Sequence, residues 1–507
     1  MSACLNIIYS LASLTDSYMI LKSINYLVLF LLITGFQTLQ AKPVTADKDF
    51  YITSYGAKGD GKTDNAKAIQ KAIDACSKAG GGKVIVPAGQ IFMAGPFDLK
   101  SNIEFIVETN ATVIANPDEK VYQKSAFREN KGEGTIWIGG ENLLNVTICG
   151  AGTLDGNGVS FMGAELEDSF VLKPFNIIDP RPHLLTIVGG KNIRIRDLTI
   201  RNSAYWTVHL IGCNDVAIDN ITLLNNLKVR NSDGIDLDHS KNVRISNCYI
   251  ESGDDCICLK KRREYEEFGV CENITVSNCT MTSRSCAIKI GSENMDSISH
   301  VVINNCIIRK SNRGIGIQNR DEGTVSDVIF SNIIVDSHLF SDVWWGKAEP
   351  IYVTAYPRAK GNNKDAGWRF PKGETEGRVG AVTNIFFSNI KCVSENGVYV
   401  GGDTPDKVSG IVFDGVDVLI NKTTAIPGGN YDRRPANVEG ILKAKTSAYY
   451  FEKANHITIR NGSVNWGAQR PDYFAHQVES HDVADLKVIN LEGTSAFPGK
   501  TEAVIRR

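Results

Sequence analysis

The sequence has no excess of charge of either sign and no apolar run long enough to cross a bilayer, which takes about 20 residues. Its 507 residues include 55 Lys and Arg and 57 Asp and Glu. Nothing in this balance favours binding to nucleic acid or to a charged membrane surface. Apolar residues at helical spacing are scarce, whereas glycine is plentiful at 46 residues. The composition therefore favours many short strands and turns.

Metal-binding and disulfide signatures are weak as well. The chain has 12 Cys, of which Cys4 falls in a segment predicted to be removed, so the odd remainder excludes a complete disulfide framework. No CxxC pair or His cluster accompanies the cysteines, which disfavours a metal site. Cys248, Cys279 and Cys306 occupy the same place in successive repeats. We predict that they stack as thiols in a dry interior.

The first 41 residues resemble an export signal. Lys22 precedes an apolar run at 26–33, and a small residue, Ala41, follows. We predict a signal peptide over 1–41, within which 1–18 reads as a mis-called start because Met19 lies just before the charged region. An uncleaved anchor is the alternative. Export to the periplasm or the extracellular space is expected.

Residues 42–90 are predicted to form an N-terminal capping segment. A Gly- and Asp-rich turn leads into an amphipathic helix with Asp64 as its N-cap, and the glycines at 80–82 end it. The turn lacks the pattern of a phosphate loop. A short amphipathic helix can instead cover the apolar end of a stack of repeats.

Residues 91–495 carry a repeated frame. Segments 191–200 and 241–250 align, and related copies begin near 273, 300, 327, 384, 410, 456 and 485. Each copy is a short alternating strand, a polar turn and another strand, and the central spacing of roughly 23 to 31 residues is that of a solenoid. We predict an all-β right-handed parallel β-helix, with a β-propeller as the alternative and 496–507 as a C-terminal tail.

Carboxylates cluster at the centre of this solenoid. Asp233 lies in one unit, and Asp254 and Asp255 lie in the next. Neighbouring strands are about 4.8 Å apart, so these three side chains should crowd together and at least one pKa should rise. A protonated acid beside an ionised base is what hydrolysis of a glycosidic bond requires. For each Asp alone, a turn-forming role is the alternative.

Two long intervals, about 336–380 and 420–450, interrupt the repeat. Insertions in a solenoid emerge as loops, often on the binding face. The first contains Trp344 and Trp345, which we predict to stack on sugar rings, with a small satellite core as the alternative.

The motifs resemble those of glycoside hydrolase family 28, the polygalacturonase family of pectin-degrading β-helices. The matching stretches are Asn231-Ser232-Asp233, Gly253-Asp254-Asp255 and the preceding segment 202–209. The resemblance implies an inverting enzyme with Asp254 as general acid, and with Asp233 and Asp255 activating water. It adds Asn231 and His209 as substrate-binding candidates, although a structural role is the alternative for His209.

Two departures from the family concern substrate binding. Cys286 stands where the family has the His of a Gly-His-Gly motif, and Gly316 and Gln318 replace the Arg and Lys of its Arg-Ile-Lys clamp. Either the substrate has no carboxylate there, or another cation takes over. The further binding candidates are Lys289, Arg313, Gln318 and Arg320, and a surface ion pair is the alternative for Arg320.

Three functions compete. The first is an exported hydrolase acting on a plant cell-wall polysaccharide or oligosaccharide, exo-acting if an insertion closes the cleft. It needs no cofactor or metal, because carboxylates supply both proton transfers. The second is a β-eliminating lyase whose carboxylates hold Ca²⁺. The third is a non-catalytic glycan-binding β-helix. A monomer without stable membrane insertion is expected in each case.

Overall fold

Parallel strands stacked in register dominate the computed structural model, which describes residues 48–128, 134–166, 173–340, 345–358 and 378–507. The strands wind into a right-handed parallel β-helix, so the predicted fold is confirmed. The predicted signal peptide, 1–41, lies outside the described residues. Within the described ranges, no helix is both long and apolar enough to cross a membrane.

The β-helix has three stacks of strands. The first, which carries the carboxylates, comprises Phe97–Asp98, Thr135–Glu141, Pro182–Val188, Val208–Ile211, Ile235–Asp238, Ile257–Lys261, Cys286–Asn294, Arg313–Asn319, Ile351–Ala355, Val398–Gly402, Tyr449–Arg460, Val478–Ile489 and Val504–Arg506. The second comprises Asp49–Tyr51, Gly82–Val86, Ile103–Val107, Leu144–Cys149, Lys191–Arg196, Asn214–Asp219, Lys241–Ser246, Cys271–Ser277, Ser297–Ser311, Thr324–Ser337, Val382–Ser394 and Val408–Ile420. The third comprises Ile91–Ala94, Thr112–Ala115, Thr153–Asp155, Thr199–Arg201, Thr222–Leu224, Tyr249–Ser252, Thr280–Ser283, Ser463–Trp466 and Glu492–Gly493.

Several strands continue from one stack into the next. Ser297–Ser311, Thr324–Ser337, Val382–Ser394 and Val408–Ile420 reach the third stack, and Tyr449–Arg460 and Val478–Ile489 reach the second. Among the described residues, two antiparallel strand pairs lie outside the stacks: Met162–Glu165 with Phe175–Ile177, and Asn430–Asp432 with Ile441–Lys443. The part of the chain that the structure describes also has short 3₁₀ helices at Ile52–Tyr55, Glu119–Val121, Gly158–Phe161 and Arg263–Phe268.

The core is built from columns of aliphatic side chains. Successive residues of a strand face opposite sides of a sheet, so in-register stacking places equivalent inward residues above one another. One such column follows the first stack and is fully buried: Leu210, Leu237, Leu259, Ile290, Ile317, Val353, Val400 and Phe451. The outward residues of the same strands are free to carry chemistry.

The polar turns of the repeat are left-handed corners. Asn220, Asn247, Asn278, Asn305 and Asn332 all have φ between 51° and 56°, a region that Asn tolerates better than most residues. Their amides also bond from coil to coil; Asn247 Nδ2 donates to Asp219 Oδ1 at 2.8 Å. The asparagines therefore set both the corner and its stacking.

A helix, Ala66–Lys78, covers the N-terminal part of the β-helix. Its buried face contains Ala68, Ile69, Ala72, Ile73 and Cys76. The N-cap position is Asn65 rather than the predicted Asp64. Asp64 still accepts the N–H of Ala66 at 2.8 Å, so its carboxylate binds the first turn from one residue earlier.

Strands beyond the predicted solenoid limits join the same sheet. Asp49–Tyr51 pairs with Gly82–Val86, and Val504–Arg506 pairs with Val478–Ile489. The segments on either side of 91–495 therefore contribute strands to the β-helix.

The predicted thiol column is confirmed. Cys248, Cys279 and Cys306 are buried and carry no disulfide. Thr280 N–H donates to Cys248 O and Ile307 N–H donates to Cys279 O, both at 2.9 Å, so the three residues occupy successive coils.

The left-handed corners predict a difference between two substitutions. Asn247→Ala should destabilise the protein by at least about 1 kcal/mol, because the left-handed backbone conformation is unfavourable for alanine. Asn247→Gly loses the same amide bonds but adopts positive φ freely, so it should be the milder change. Thermal melting of both variants measures the difference. Equal melting temperatures would mean that the side-chain ladder, and not backbone conformation, fixes the corner.

Candidate active site

Three carboxylates meet where two neighbouring strands of the first stack begin. Ile235 pairs with Ile257, and Gly234 N–H donates to Asp255 O at 2.8 Å. Carboxylate oxygens of Asp233, Asp254 and Asp255 lie within 4.8 Å of one another. The predicted crowding of these three residues, called the Asp trio below, is therefore confirmed.

Gly253 makes this approach possible. A Cβ at Gly253 would lie 2.1 Å from Val229 O and 2.8 Å from Ser232 Oγ. Ser232 Oγ in turn accepts Gly253 N–H at 3.1 Å. Only glycine allows the turn before Asp254 to pack this closely on the previous coil.

Two lysines bring positive charge to the trio. Lys289 Nζ lies 2.7 Å from Asp255 Oδ2. Lys260 Nζ lies 3.1 Å from Asp236 Oδ1 and 3.6 Å from Asp233 Oδ2. Each lysine is thus an immediate neighbour of one of the two carboxylates that the sequence assigns to water activation.

Sequence reasoning missed Lys260. Asp236 pairs with Cys258, and Asp238 pairs with Lys260, so Lys260 continues the row of outward polar residues. Its ammonium also lies 3.7 Å from the centre of the Trp206 ring. The alternation of residues 257–260 could have revealed it: Ile257 and Leu259 face the core, so Lys260 faces outward with Cys258.

Asp254 is the half-buried member of the trio. Its Oδ2 accepts the N–H of Asn231 at 3.2 Å. Burial, followed by the charge of Asp255, raises the pKa of Asp254 above its ordinary value. The expectation that at least one pKa rises in this cluster is confirmed for the residue predicted to be the acid.

Asp233 lies in surroundings that disfavour its ionised form. It is 2% exposed. Burial, then the charges of Asp236 and Asp254, raises the pKa of Asp233 well above its usual range, while Lys260 opposes this shift. Its Oδ1 has no hydrogen-bond partner among the described residues.

Asp255 accepts hydrogen bonds from two donors. Its Oδ2 receives the Lys289 ammonium at 2.7 Å, and its Oδ1 accepts Cys286 N–H at 3.2 Å. Burial alone would lower the pKa of Lys289, but the charge of Asp255 raises it above the ordinary lysine value. Lys289 is thus paired with Asp255, and its side chain is still 12% exposed.

The other clamp candidates contact protein groups. Arg313 lies next to Cys286 in register, pairs with Glu349 at 3.3 Å and stacks 3.8 Å from the Tyr352 ring. Gln318 is 2% exposed and donates to Arg434 O at 2.6 Å.

Arg320 is neither a surface ion pair nor exposed to a ligand. It is fully buried and donates to Asn319 O, Thr354 Oγ1, Tyr352 O–H and Arg433 O. A buried guanidinium needs such acceptors, so Arg320 supports the fold.

His209 also occupies the interior. It is fully buried, with Nε2 3.5 Å from Asp238 Oδ2. Its ring lies 4.8 Å from Trp206 and 5.4 Å from His183. This burial favours the structural alternative for His209 over direct contact with a sugar hydroxyl.

The insertions cover the first stack beyond the trio. Trp344 lies outside the described residues. Trp345 is half-buried, and its carbonyl accepts a bond from Asn312. Tyr352 and Tyr356, from the same interval, are buried in a satellite core with Tyr399, Tyr431, Ala436 and Tyr450.

The hairpin 430–443 forms a wall on the C-terminal side. Tyr431 stacks 4.9 Å from Tyr399, Asp432 O accepts Arg313, and Arg434 O accepts Gln318. On the N-terminal side, Phe127 packs 5.3 Å from Trp206 and 5.0 Å from His183. Elements outside the coils thus cover the outward face on both sides of the trio.

The fold and this site define a parallel β-helix that concentrates acidic side chains, backed by lysines, on one outward face. The model of the family described as glycosyl hydrolases family 28 matches residues 76–342, more than half of the chain, and the chain belongs to this family. The resemblance noted from the motifs is therefore confirmed.

Individual relatives agree with this assignment. The chain is 31% identical over 272 residues to a probable polygalacturonase of Vitis vinifera, covering 49% of this chain and 52% of that protein. It is 30% identical over 243 residues to an exopolygalacturonase of Cochliobolus carbonum, covering 46% and 49%. The chain thus spans about half the length of the curated relatives it matches.

A solved structure supports the fold. The hyperthermoactive exopolygalacturonase of Thermotoga maritima superposes with a TM-score of 0.60 at 22% identity, covering 84% of this chain and 93% of that one.

The buried His209 predicts a pH-dependent stability. Burial lowers its pKa to about 4, whereas the unfolded value is about 6.5. As pH falls through this window, the unfolded chain binds a proton that the folded chain excludes, so stability is lost, by about 2 kcal/mol at pH 5. Melting temperatures measured from pH 7 to pH 4.5 should fall less steeply in His209→Gln.

The exposed His456 supplies the matched control, because its side chain is 67% accessible. His456→Gln should retain the wild-type pH dependence. A His209→Gln profile parallel to that of wild type would show that His209 does not carry this linkage.

Proposed function

We propose that the protein is an exported, inverting glycoside hydrolase that cleaves glycosidic bonds in pectic polysaccharides or oligosaccharides, acting from a chain end. The observation that carries the proposal is the contrast within the Asp trio: Asp254 is half-buried with a raised pKa, whereas Asp233 and Asp255 are buried and lie beside Lys260 and Lys289. Family membership and polygalacturonase relatives support the reaction class and the pectic substrate. The signal-like segment at 1–41 supports export.

The chemistry needs one acid and one base. Asp254 donates its proton to the glycosidic oxygen, and the bond between that oxygen and the anomeric carbon breaks. Water attacks the same carbon, Asp233 and Asp255 activate it, and one of its protons passes to one of these two carboxylates. Once the products leave, proton exchange with solvent restores the protonated Asp254. General acid and base catalysis of this kind contributes about 10²- to 10⁴-fold each.

Asn231 is proposed to orient the acid. Its N–H donates to Asp254 Oδ2 at 3.2 Å, and its Oδ1 accepts Arg181 Nη2 at 3.1 Å. Lys289, with 12% of its side chain exposed, is the remaining sequence candidate that can reach a sugar carboxylate while still paired to Asp255.

Asp254→Asn tests the assignment. The amide keeps the shape but has no proton to donate, so hydrolysis should fall by at least about 100-fold. Products from polygalacturonan, rhamnogalacturonan and their oligomers would be separated by chromatography, with a chelator present throughout. Wild type should release saturated sugars that the variant does not.

The same chromatograms test the alternatives and the site of attack. Asp296→Asn, at a half-exposed carboxylate paired to Lys261, is the control that should retain activity. Ultraviolet-absorbing products that disappear when chelator is added would establish elimination instead. If neither wild type nor Asp254→Asn releases any product but both bind the glycan, the protein is a glycan-binding protein. Early release of long oligomers would overturn chain-end action.

The stereochemistry needs its own experiment. The trio oxygens, within 4.8 Å of one another, are closer than the roughly 6.5–9.5 Å usual for inversion and resemble the roughly 5–5.5 Å of retaining enzymes. Yet Asp233 and Asp255 are only 2% and 1% exposed. Carboxylates this recessed are reached by water more readily than by a sugar carbon, which favours inversion.

Proton NMR of the first product formed should therefore show the anomer opposite to the substrate linkage. Spectra must be collected before mutarotation, and a mutarotated sample of the same product provides the reference. A first product with the configuration of the substrate would identify Asp233 or Asp255 as a nucleophile.

A further inference from the structure

Asp233 raises a difficulty for the proposed chemistry. Of the two carboxylates that face the attacking water, Asp255 already accepts Lys289 and Cys286 N–H through its two oxygens. Asp233 Oδ1 has no partner among the described residues and is the available acceptor. Yet its surroundings of buried carboxylates favour the protonated acid, which cannot accept a proton.

One cation opposes those carboxylates at Asp233. Lys260 Nζ lies 3.6 Å from Asp233 Oδ2, and its side chain is 4% exposed. The other charged groups that face Asp233 are Asp236 on the strand that follows it and Asp254 and Asp255 on the next coil, all negative when ionised. At this burial, a charge a few ångströms away acts far more strongly than it does in water.

The position of Lys260 is fixed from three sides. Its ammonium lies 3.1 Å from Asp236 Oδ1 and 3.7 Å from the centre of the Trp206 ring, whose face attracts cations. Strand pairing places Lys260 beside Asp238. Burial alone would lower the pKa of Lys260, but Asp236, Asp233 and Glu293 raise it well above the ordinary value, so the charge is retained.

We propose that Lys260 is a positioning residue that favours the carboxylate form of Asp233 against the surrounding carboxylates, so that Asp233 can accept the proton of the attacking water. Asp236 is its counterpart. It holds the ammonium in place, but its own charge repels that of Asp233. The proposal rests on the proposed hydrolase function and adds a residue, acting through Asp233, to that site.

The test is the pH profile of kcat/KM, whose acidic limb reports the pKa of the base in the free enzyme. Lys260→Met removes a positive charge, so the limb should move to higher pH and kcat at the wild-type optimum should fall by about 100-fold. Burial raises the pKa of Asp236 to about 7, so near neutral pH Asp236→Asn removes only part of a negative charge. The substitution also leaves Lys260 to Asp233 alone, so the limb should move to lower pH, by less than it moves to higher pH in Lys260→Met. A merely structural role would not produce shifts of opposite sign.

Two further variants complete the design. Lys260→Arg keeps the charge and should hold the limb nearer to its wild-type position than Lys260→Met does. Lys261→Met removes the adjacent buried lysine, which pairs with Asp296 at 2.6 Å, and should leave the limb in place. Circular dichroism and thermal melting confirm that each variant is folded.

The outcomes separate the two proposals. The role of Lys260 is overturned if the acidic limb of the kcat/KM profile stays in place, or moves in the same direction, in Lys260→Met and Asp236→Asn. Hydrolysis by the wild type would still support the proposed function in that case. If Lys260→Met does not fold, the direction of the Asp236→Asn shift decides, and an unshifted or raised limb overturns the role. A wild type that releases no product from any pectic oligomer overturns both proposals.

Discussion

In-register stacking of parallel strands is the constraint on which the rest of this structure depends. Each coil repeats the previous one at a spacing of about 4.8 Å, so a residue type that recurs once per repeat becomes a continuous column. Inward columns of Leu, Ile and Val form the core, and left-handed Asn corners form the edges. The same rule brings Asp233 against Asp255, because each lies just before a strand of the first stack and the two strands pair in register.

In the site, the repulsion between neighbouring carboxylates is opposed by the lysine ammonium groups that lie among them. Burial makes ionised carboxylates costly. The pairs Lys289–Asp255 and Lys260–Asp236 offset part of that cost, and Asp254 is left to respond to burial and to its neighbour. Chemical asymmetry among three identical side chains thus arises from where two lysines lie.

Sequence reasoning recovered the features that depend on period and motif. The solenoid, the thiol column and the convergence of the Asp trio all follow from residues that repeat at fixed intervals. Sequence reasoning failed for side chains whose role depends on which residues they contact in the folded structure. Arg320 and His209 are polar residues in polar motifs, yet both are buried, because their partners come from segments distant in sequence or from neighbouring coils. Lys260 was missed because its effect depends on Asp236, which lies on another strand, and on Trp206, which lies outside the strands and is distant in sequence.

The hairpin 430–443 is anchored to particular coils, through Arg313, Gln318 and Tyr399. Its distance from the Asp trio is therefore counted in whole coils. Duplication or loss of one repeat between Asp255 and Arg313 would move the wall by a single strand spacing without disturbing either part. The length of the outward face between the Asp trio and the hairpin in such a scaffold would therefore change in discrete steps of one strand spacing, about 4.8 Å, while the trio stays unchanged.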